Sequence, residues 1–177
     1  MRRSLLVGIA ASLAAAAVIA APREARAGFL LGAEFDAGTQ VSNAGSSGNG
    51  YGFVGILGYR IKLGPVFLQP EAEGSYMVFP ESLGTLHATR VTGGGRFGLA
   101  GLFQPALFAH MGIGWLGEGR NGRDFDVGLQ LGFKLIPYLR FGAQISYNVL
   151  QVPNDVVAGN TTNFKWLGYG AHAAVEF

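Results

Sequence analysis

Apolar and polar residues alternate one by one along most of the chain after residue 28, which is the pattern of β-strands with two unlike faces. The alternation is clearest over residues 124–135. There the odd positions from Phe125 to Leu135 are all apolar, and the even positions from Asp124 to Lys134 are polar or glycine. Residues 138–149 repeat the pattern. No stretch after residue 28 shows a comparable 3.6-residue period, so the sequence predicts an all-β fold.

Eight alternating segments can be counted, and they predict an eight-stranded antiparallel up-and-down barrel. The segments cover residues 29–41, 51–63, 66–79, 89–102, 105–116, 124–135, 138–149 and 164–177. Three connections are short and lie at or beside a proline (64–65, 103–104, 136–137). The other four are longer and polar or glycine-rich (42–50, 80–88, 117–123, 150–163). In such a barrel the short turns gather at one end and the long loops at the other.

One proline interrupts the pattern inside a predicted strand. Pro70 has no N–H to donate to the strand ladder, and a closed barrel has no free edge at which the loss is harmless. We therefore expect a β-bulge at Pro70, close to the short turn at residues 64–65.

The first 27 residues have the three parts of a secretory signal peptide. Arg2 and Arg3 form a basic start, residues 5–21 are apolar or small, and residues 25–27 (Ala-Arg-Ala) offer a cleavage site. The alternative is an uncleaved anchor, but the run is rich in alanine and short for a span of ~20 residues. The prediction is a cleaved signal peptide over residues 1–27 and a barrel domain over residues 28–177.

Cleavage changes what the charge implies. The whole chain has 13 Lys and Arg against 11 Asp and Glu, and removal of residues 1–27 leaves 9 basic and 10 acidic residues. A nearly neutral mature chain gives no compositional support for nucleic-acid binding. Cysteine is absent, and the three histidines lack a zinc-ligand spacing, so neither a metal nor a cofactor is expected.

The charged residues share a face with many glycines, which predicts which side of the barrel is inside. Apart from those in connections, only Lys165 falls in the apolar register. Eight strands enclose an interior just wide enough for packed side chains, which suits glycines among long polar residues. We therefore predict a transmembrane barrel with a polar lumen and a lipid-facing apolar exterior. The inverted arrangement, a soluble lipocalin-like barrel, is the alternative.

Counting from the turns places Glu71 and Glu73 level with Arg96, with Arg60 nearby. Buried charges of mixed sign are expected to pair, because an unpaired charge in a poorly hydrated interior is costly. The pattern predicts a salt-bridge network that fills the lumen, or alternatively an ion gate. Its predicted members are Arg60, Glu71, Glu73, Arg96, Lys134, Arg140 and Glu176.

Aromatic residues on the apolar register mark the expected membrane boundaries. Phe29, Tyr59 and Phe177 are expected near the short-turn end. The predicted girdle at the long-loop end consists of Tyr51, Tyr76, Trp115 and Tyr147.

The last segment, residues 167–177, is an amphipathic strand that ends in an aromatic residue. In this the chain resembles the small eight-stranded outer-membrane β-barrel proteins of Gram-negative bacteria, of the outer membrane protein A and X kind. Gly168 departs from that pattern, because a polar residue is more usual there. The resemblance implies that the barrel-assembly machinery recognises this strand, through Tyr169, Ala173, Val175 and Phe177.

The resemblance also implies an outer-membrane location, contacts with membrane lipid and lipopolysaccharide, and a monomer without cofactors. The expected function is a structural or surface-interaction role without enzymatic activity. The alternatives are a small passive channel and a soluble periplasmic ligand-binding barrel. Residues 42–45 resemble a fragment of a lipid A deacylase motif but lack its neighbouring histidine, and Ser75 and Ser146 have no histidine close in sequence. Acyl hydrolysis is therefore not expected.

Overall fold

The computed structural model describes residues 26–41, 48–81, 84–117, 120–153 and 161–177, which form one closed antiparallel barrel of eight strands. Each strand pairs with its neighbours in sequence, and β1 pairs with β8 to close the sheet. The predicted fold class is confirmed. The strands are β1 (Arg26–Gln40), β2 (Asn49–Leu63), β3 (Val66–Glu81), β4 (Gly84–Leu99), β5 (Phe103–Leu116), β6 (Arg120–Ile136), β7 (Leu139–Pro153) and β8 (Thr161–Glu176).

Among these residues there is no helix of the length and apolarity that crossing a membrane requires. The predicted signal peptide lies almost entirely outside the described residues. Strand β1 begins at Arg26, which pairs with Lys62, so the last two residues of that segment continue the strand in the full chain.

The strands extend further than the alternation predicts at the long-loop end. Pairing between β3 and β4 continues to Glu81 and Gly84, and pairing between β5 and β6 continues to Leu116 and Arg120. The predicted loops at 80–88 and 117–123 are therefore wrong, since only two and three residues connect these strands. Backbone pairing sustains the hairpins where glycine, proline and polar residues blur the two-residue pattern.

The short turns lie at 64–65, 100–102 and 137–138. Gly64 has φ 65°, a left-handed conformation that glycine adopts without steric cost. The predicted turn at 103–104 is wrong, because β5 already begins at Phe103 and the side chain of Gln104 is buried. Pro105 misled the prediction, since it lies inside the strand with its side chain outward.

The bulge expected at Pro70 is also wrong. Pairing of β2 with β3 stops after Gly58 and Glu71 and resumes at Ile61 and Leu68 in unchanged register. Pro70 therefore interrupts the ladder locally without inserting a residue, and the register shift lies in the β6–β7 pair instead.

The two faces of the barrel have opposite polarity. Leu129 on the outside is 55% exposed, whereas Arg96 and His110 inside are 2% and 1% exposed. On β6 the outward positions from Phe125 to Leu135 are all apolar. Ten steps of about 3.3 Å at a tilt of about 40° give a band roughly 25 Å tall, the height of the apolar band of outer-membrane barrels.

Candidate functional site

A layer of polar side chains crosses the lumen near the short-turn end. Arg60 donates from Nη1 to Gln104 Oε1 at 2.6 Å and from Nε to Gln69 Oε1 at 2.7 Å. Arg140 also donates to Gln104 and pairs with Glu176. Because these residues come from β2, β3, β5, β7 and β8, the layer spans the width of the barrel.

This end of the lumen is rich in positive charge. Lys62 Nζ lies 2.5 Å from Glu176 Oε1, and the half-buried Lys134 pairs in register with Arg140. Together with Arg60, four basic side chains thus share this end of the described lumen with one acidic side chain. The structure brings Arg140 and Glu176, two of the predicted network members, together in an ion pair.

The central layer is built around Arg96. Its Nε donates to Glu71 Oε1 at 2.8 Å, and its Nη2 lies 3.4 Å from Glu73 Oε1. The guanidinium also donates to Gln130 and lies 4.9 Å from the centre of the Phe108 ring. The structure thus joins the three residues that the turn count placed level. Arg60 reaches this layer through Gln69, which donates to Glu71.

His110 links the central layer to β6. Its Nε2 lies 2.8 Å from Glu71 Oε1 and its Nδ1 lies 2.8 Å from Asp126 Oδ1, so each ring nitrogen faces a carboxylate. Glu71, Glu73 and His110 bring their ligand atoms within 4.8 Å of one another, a spacing that could suit a metal ion. Arg96 already supplies positive charge to both glutamates, so this cluster is best described as an ion network.

A third polar layer lies nearer the long-loop end and was missed by the sequence analysis. Arg90 donates to Ser75 Oγ at 2.9 Å and to Asn148 Oδ1 at 2.7 Å, and its Nη1 lies 3.3 Å from Asp124 Oδ2. Its guanidinium lies 5.0 Å from the centre of the Trp166 ring. The inward register of Arg90 and Asp124 was the signal that could have identified this layer.

The long-loop end of the lumen is apolar, which corrects the expectation that polar side chains fill the whole interior. The Phe79 and Trp166 rings lie 5.9 Å apart, and Leu86 and Phe164 pack against them. We call this set the outer apolar cluster. Its buried members are Met77, Phe79, Ala88, Leu116, Leu150, Val152 and Trp166.

The predicted girdle residues all lie on the outward register. Tyr51, Tyr76 and Tyr147 are exposed and Trp115 is half-buried. Tyr76 Oη lies 2.7 Å from Nδ1 of the exposed His87, and the two rings stack. These side chains are thus available to a membrane interface, and their role as a girdle stays a prediction.

The predicted assembly residues also share the outward register of β8. Tyr169, Val175 and Phe177 are exposed, and Ala173 is half-buried where β8 pairs with β1. At the same end, the rings of Phe29 and Tyr59 are 5.1 Å apart in an edge arrangement.

Two basic residues assigned to a loop lie on a strand instead. Arg120 and Arg123 belong to β6, where Arg123 pairs with Ile113 and Gln151. Both side chains are exposed, but they occupy opposite registers. Arg123 continues the outward face of Phe125, and Arg120 continues the inward face of Asp124.

No protein-family model matches the chain, and no curated protein matches it in sequence. Solved structures do match. The Neisserial surface protein A is 14% identical with a TM-score of 0.57, and the match covers 86% of this chain and 99% of that one. The attachment invasion locus protein Ail of Yersinia pestis is 18% identical with a TM-score of 0.54 and coverage of 85% and 99%.

The outer membrane enzyme PagL is 14% identical with a TM-score of 0.54, and the match covers 80% of this chain and 98% of that one. At such identities a structural likeness shows the fold and leaves the activity open. The closed eight-stranded topology and the apolar exterior agree with these matches. The chain therefore has the fold of the small eight-stranded outer-membrane β-barrels of Gram-negative bacteria, and its lipid-facing band supports a place in that membrane.

Proposed function

We propose that the protein is a non-enzymatic integral outer-membrane barrel with a structural or surface-interaction role and a closed lumen. The observation that carries the proposal is the double obstruction of the lumen. Polar layers around Arg60, Arg96 and Arg90 occupy the short-turn end and the centre, and the outer apolar cluster occupies the other end.

The two obstructions would stop ions for different reasons. An ion passing the central layer must separate Arg96 from Glu71, and each charge would then be left unpaired in a poorly hydrated interior. An ion passing the outer apolar cluster would lose its hydration among Phe79, Leu150 and Trp166, which offer it no charged or carbonyl ligands in exchange.

One observation favours a passive channel as the second candidate. In the described residues, one carboxylate oxygen each of Glu34, Asp36, Asp124 and Asp126 is buried without a hydrogen-bond partner. An arginine that left its present acid would therefore meet other acceptors nearby. Such an exchange of partners would open the polar layers without leaving the arginine unpaired.

The likeness to PagL, an outer membrane enzyme, keeps enzymatic activity, with acyl hydrolysis as the candidate weighed above, as a question for this fold. Ser75 accepts a hydrogen bond from Arg90, and Ser146 accepts one from Asn148 Nδ2 at 2.8 Å. Across the described ranges, no side-chain hydrogen bond joins a serine to a histidine, the pair that would activate a serine nucleophile. The motif fragment at 42–45 lies outside the described residues. These observations support the non-enzymatic proposal.

Conductance of the refolded protein in a planar lipid bilayer tests the closed lumen. We expect no conductance steps from the native chain or from Glu71→Ala, because the outer apolar cluster remains in that variant. The double variant Glu71→Ala with Trp166→Ala weakens both obstructions and is expected to conduct. Arg120→Ala is the matched control. Steady conductance from the native chain would instead establish the passive channel.

Fractionation of cells that express the full chain tests the location. The protein should sediment with outer membranes and migrate differently on a gel before and after heating. Release with the periplasmic fraction would favour the soluble ligand-binding barrel and contradict the proposal.

A further inference from the structure

The outward face of the barrel carries positive charge alone within the described part of the chain, whereas the lumen holds charges of both signs. Among the described side chains, Arg123 and Lys165 are the two charged residues of the outward register, and no acid shares it. Every described acidic side chain lies on the inward register. These acids are Glu34, Asp36, Glu71, Glu73, Asp124, Asp126 and Glu176.

Arg123 lies immediately above the apolar band. The next outward residue toward the membrane on β6 is Phe125, which begins the roughly 25 Å band described above. Three residues of β6 precede Arg123 at the long-loop end. In an outer-membrane barrel this is the level of the outer-leaflet headgroups.

Arg123 lines a groove of about 690 Å³ on the outside of β5, β6 and β7. Ile113, which pairs with Arg123, and Trp115, which pairs with Asn121, form its apolar side. Asn121 and Gln151 add side-chain amides, so a guanidinium and two amide groups line one depression. The wall therefore offers hydrogen-bond donors beside an apolar surface.

Lys165 supplies a second positive charge near the groove. Arg123 pairs with Gln151, and Gln151 pairs with Asn163, two residues from Lys165 on β8. Two strand spacings of about 4.8 Å and two residues of about 3.3 Å put the Cα atoms of Arg123 and Lys165 roughly 12 Å apart. Their long side chains can thus meet two anionic groups of one headgroup.

We propose that this groove binds the phosphorylated headgroup of lipopolysaccharide. Arg123 takes one phosphate with its forked guanidinium, Lys165 takes the second, and Trp115 packs against the sugar. The spacing of the two cations favours a lipid with phosphates on both sugars of a disaccharide over a phospholipid with a single phosphate. The proposal rests on the proposed function only because it needs the barrel in the outer membrane with the long-loop end outward.

Titration calorimetry of the refolded full chain in zwitterionic micelles tests the site. The ligands are purified lipopolysaccharide, its dephosphorylated form, and phosphatidylglycerol as a singly charged phospholipid. We expect Arg123→Gln to weaken lipopolysaccharide binding about tenfold, as the loss of one charge-assisted contact implies. Lys165→Gln should weaken it less, because an ammonium lacks the paired donors of a guanidinium.

Arg120→Gln is the matched control, because it removes the same charge from the same strand on the opposite register. It should leave the affinity unchanged, and the dephosphorylated ligand should bind the native chain and Arg123→Gln equally weakly. Equal losses in Arg120→Gln and Arg123→Gln, or equal binding of phosphatidylglycerol, would overturn the proposal. Either failure leaves the closed lumen untouched, since conductance and fractionation test that separately.

Discussion

The two halves of the lumen fill the same cylinder with different chemistry. In the centre, Arg96 and His110 hold Glu71 through hydrogen bonds and ion pairs of 2.8 Å. At the long-loop end, Phe79, Trp166 and their neighbours fill the space by packing. The polar half depends on each group keeping its partner, whereas the apolar half depends on total volume and shape.

This difference between paired charges and apolar packing predicts how each half of the lumen responds to substitutions. Removing one member of a buried ion pair leaves the other charge without compensation, and the interior offers little water to replace it. Removing a methylene from the apolar half leaves a cavity that neighbouring side chains can partly refill. The central ion network should therefore be the less tolerant half.

The largest effect is expected from Arg96→Ala. The substitution leaves Glu71, Glu73 and Gln130 without their shared donor and should lower the free energy of unfolding by about 3–5 kcal/mol. Urea unfolding of the protein in lipid vesicles, followed by tryptophan fluorescence, measures the loss. Arg123→Ala removes an exposed arginine and should change stability by at most about 0.5 kcal/mol.

A second variant shows whether the loss comes from the unpaired charge. The double substitution Arg96→Met with Glu71→Leu replaces both partners by apolar groups and should recover part of the stability, because no charge of this pair remains buried. A double variant less stable than Arg96→Ala would show that the wider network, including His110, needs both residues.

For most strands, the sequence predicts which side chains point into the lumen and which point outward, because the two-residue period assigns every residue of a strand to one face. The same register placed Glu71 and Glu73 beside Arg96, since these residues lie on adjacent strands joined by one connection. Contacts across the barrel could not be predicted this way. Arg60 on β2 reaches Gln104 on β5, and counting along neighbouring strands does not show which side chains meet across a lumen.

The outer apolar cluster escaped prediction for a related reason. Met77, Val78 and Phe79 are all apolar, so the contrast between the two faces of β3 disappears where this cluster begins. Residues 80–88 then contain Pro80 and Gly84, which resemble a loop although the pairing with β4 continues. Sequence alternation identifies a lumen only while the lumen is polar.

An intermediate effect is expected from Leu150→Ala in the outer apolar cluster. Leu150 is fully buried, and its truncation should lower the free energy of unfolding by about 2–4 kcal/mol through lost transfer energy and a residual cavity. Leu150→Met keeps nearly the same volume and should lose less than about 1.5 kcal/mol. The same urea titration checks both. A loss in Leu150→Ala that exceeds the loss in Arg96→Ala would reverse the proposed order of the two halves.

The smallest effects should come from alanine substitutions at two inward-facing glycines. One glycine lies against backbone that cannot move easily, and the other lies against side chains that can. A Cβ added at Gly112, beside the central polar layers, would lie 2.1 Å from Val91 O and 2.7 Å from Thr92 Cα, so the β4 backbone itself must move. A Cβ at Gly38 would meet Trp166 Cδ1 at 3.0 Å and Met77 Cε at 3.3 Å.

At Gly38 the neighbours are side chains, of Trp166 and Met77, and these can shift by a few tenths of an ångström where a paired strand cannot. Gly112→Ala should therefore cost about 1–3 kcal/mol and Gly38→Ala less than about 1 kcal/mol. Gly74→Ala is the control, because nothing lies within 4 Å of its added Cβ. Urea unfolding should rank the control and Gly38→Ala close together and Gly112→Ala well below them. Equal losses at Gly38 and Gly112 would mean that the apolar end is as rigid as the polar centre, and packing alone would then explain both.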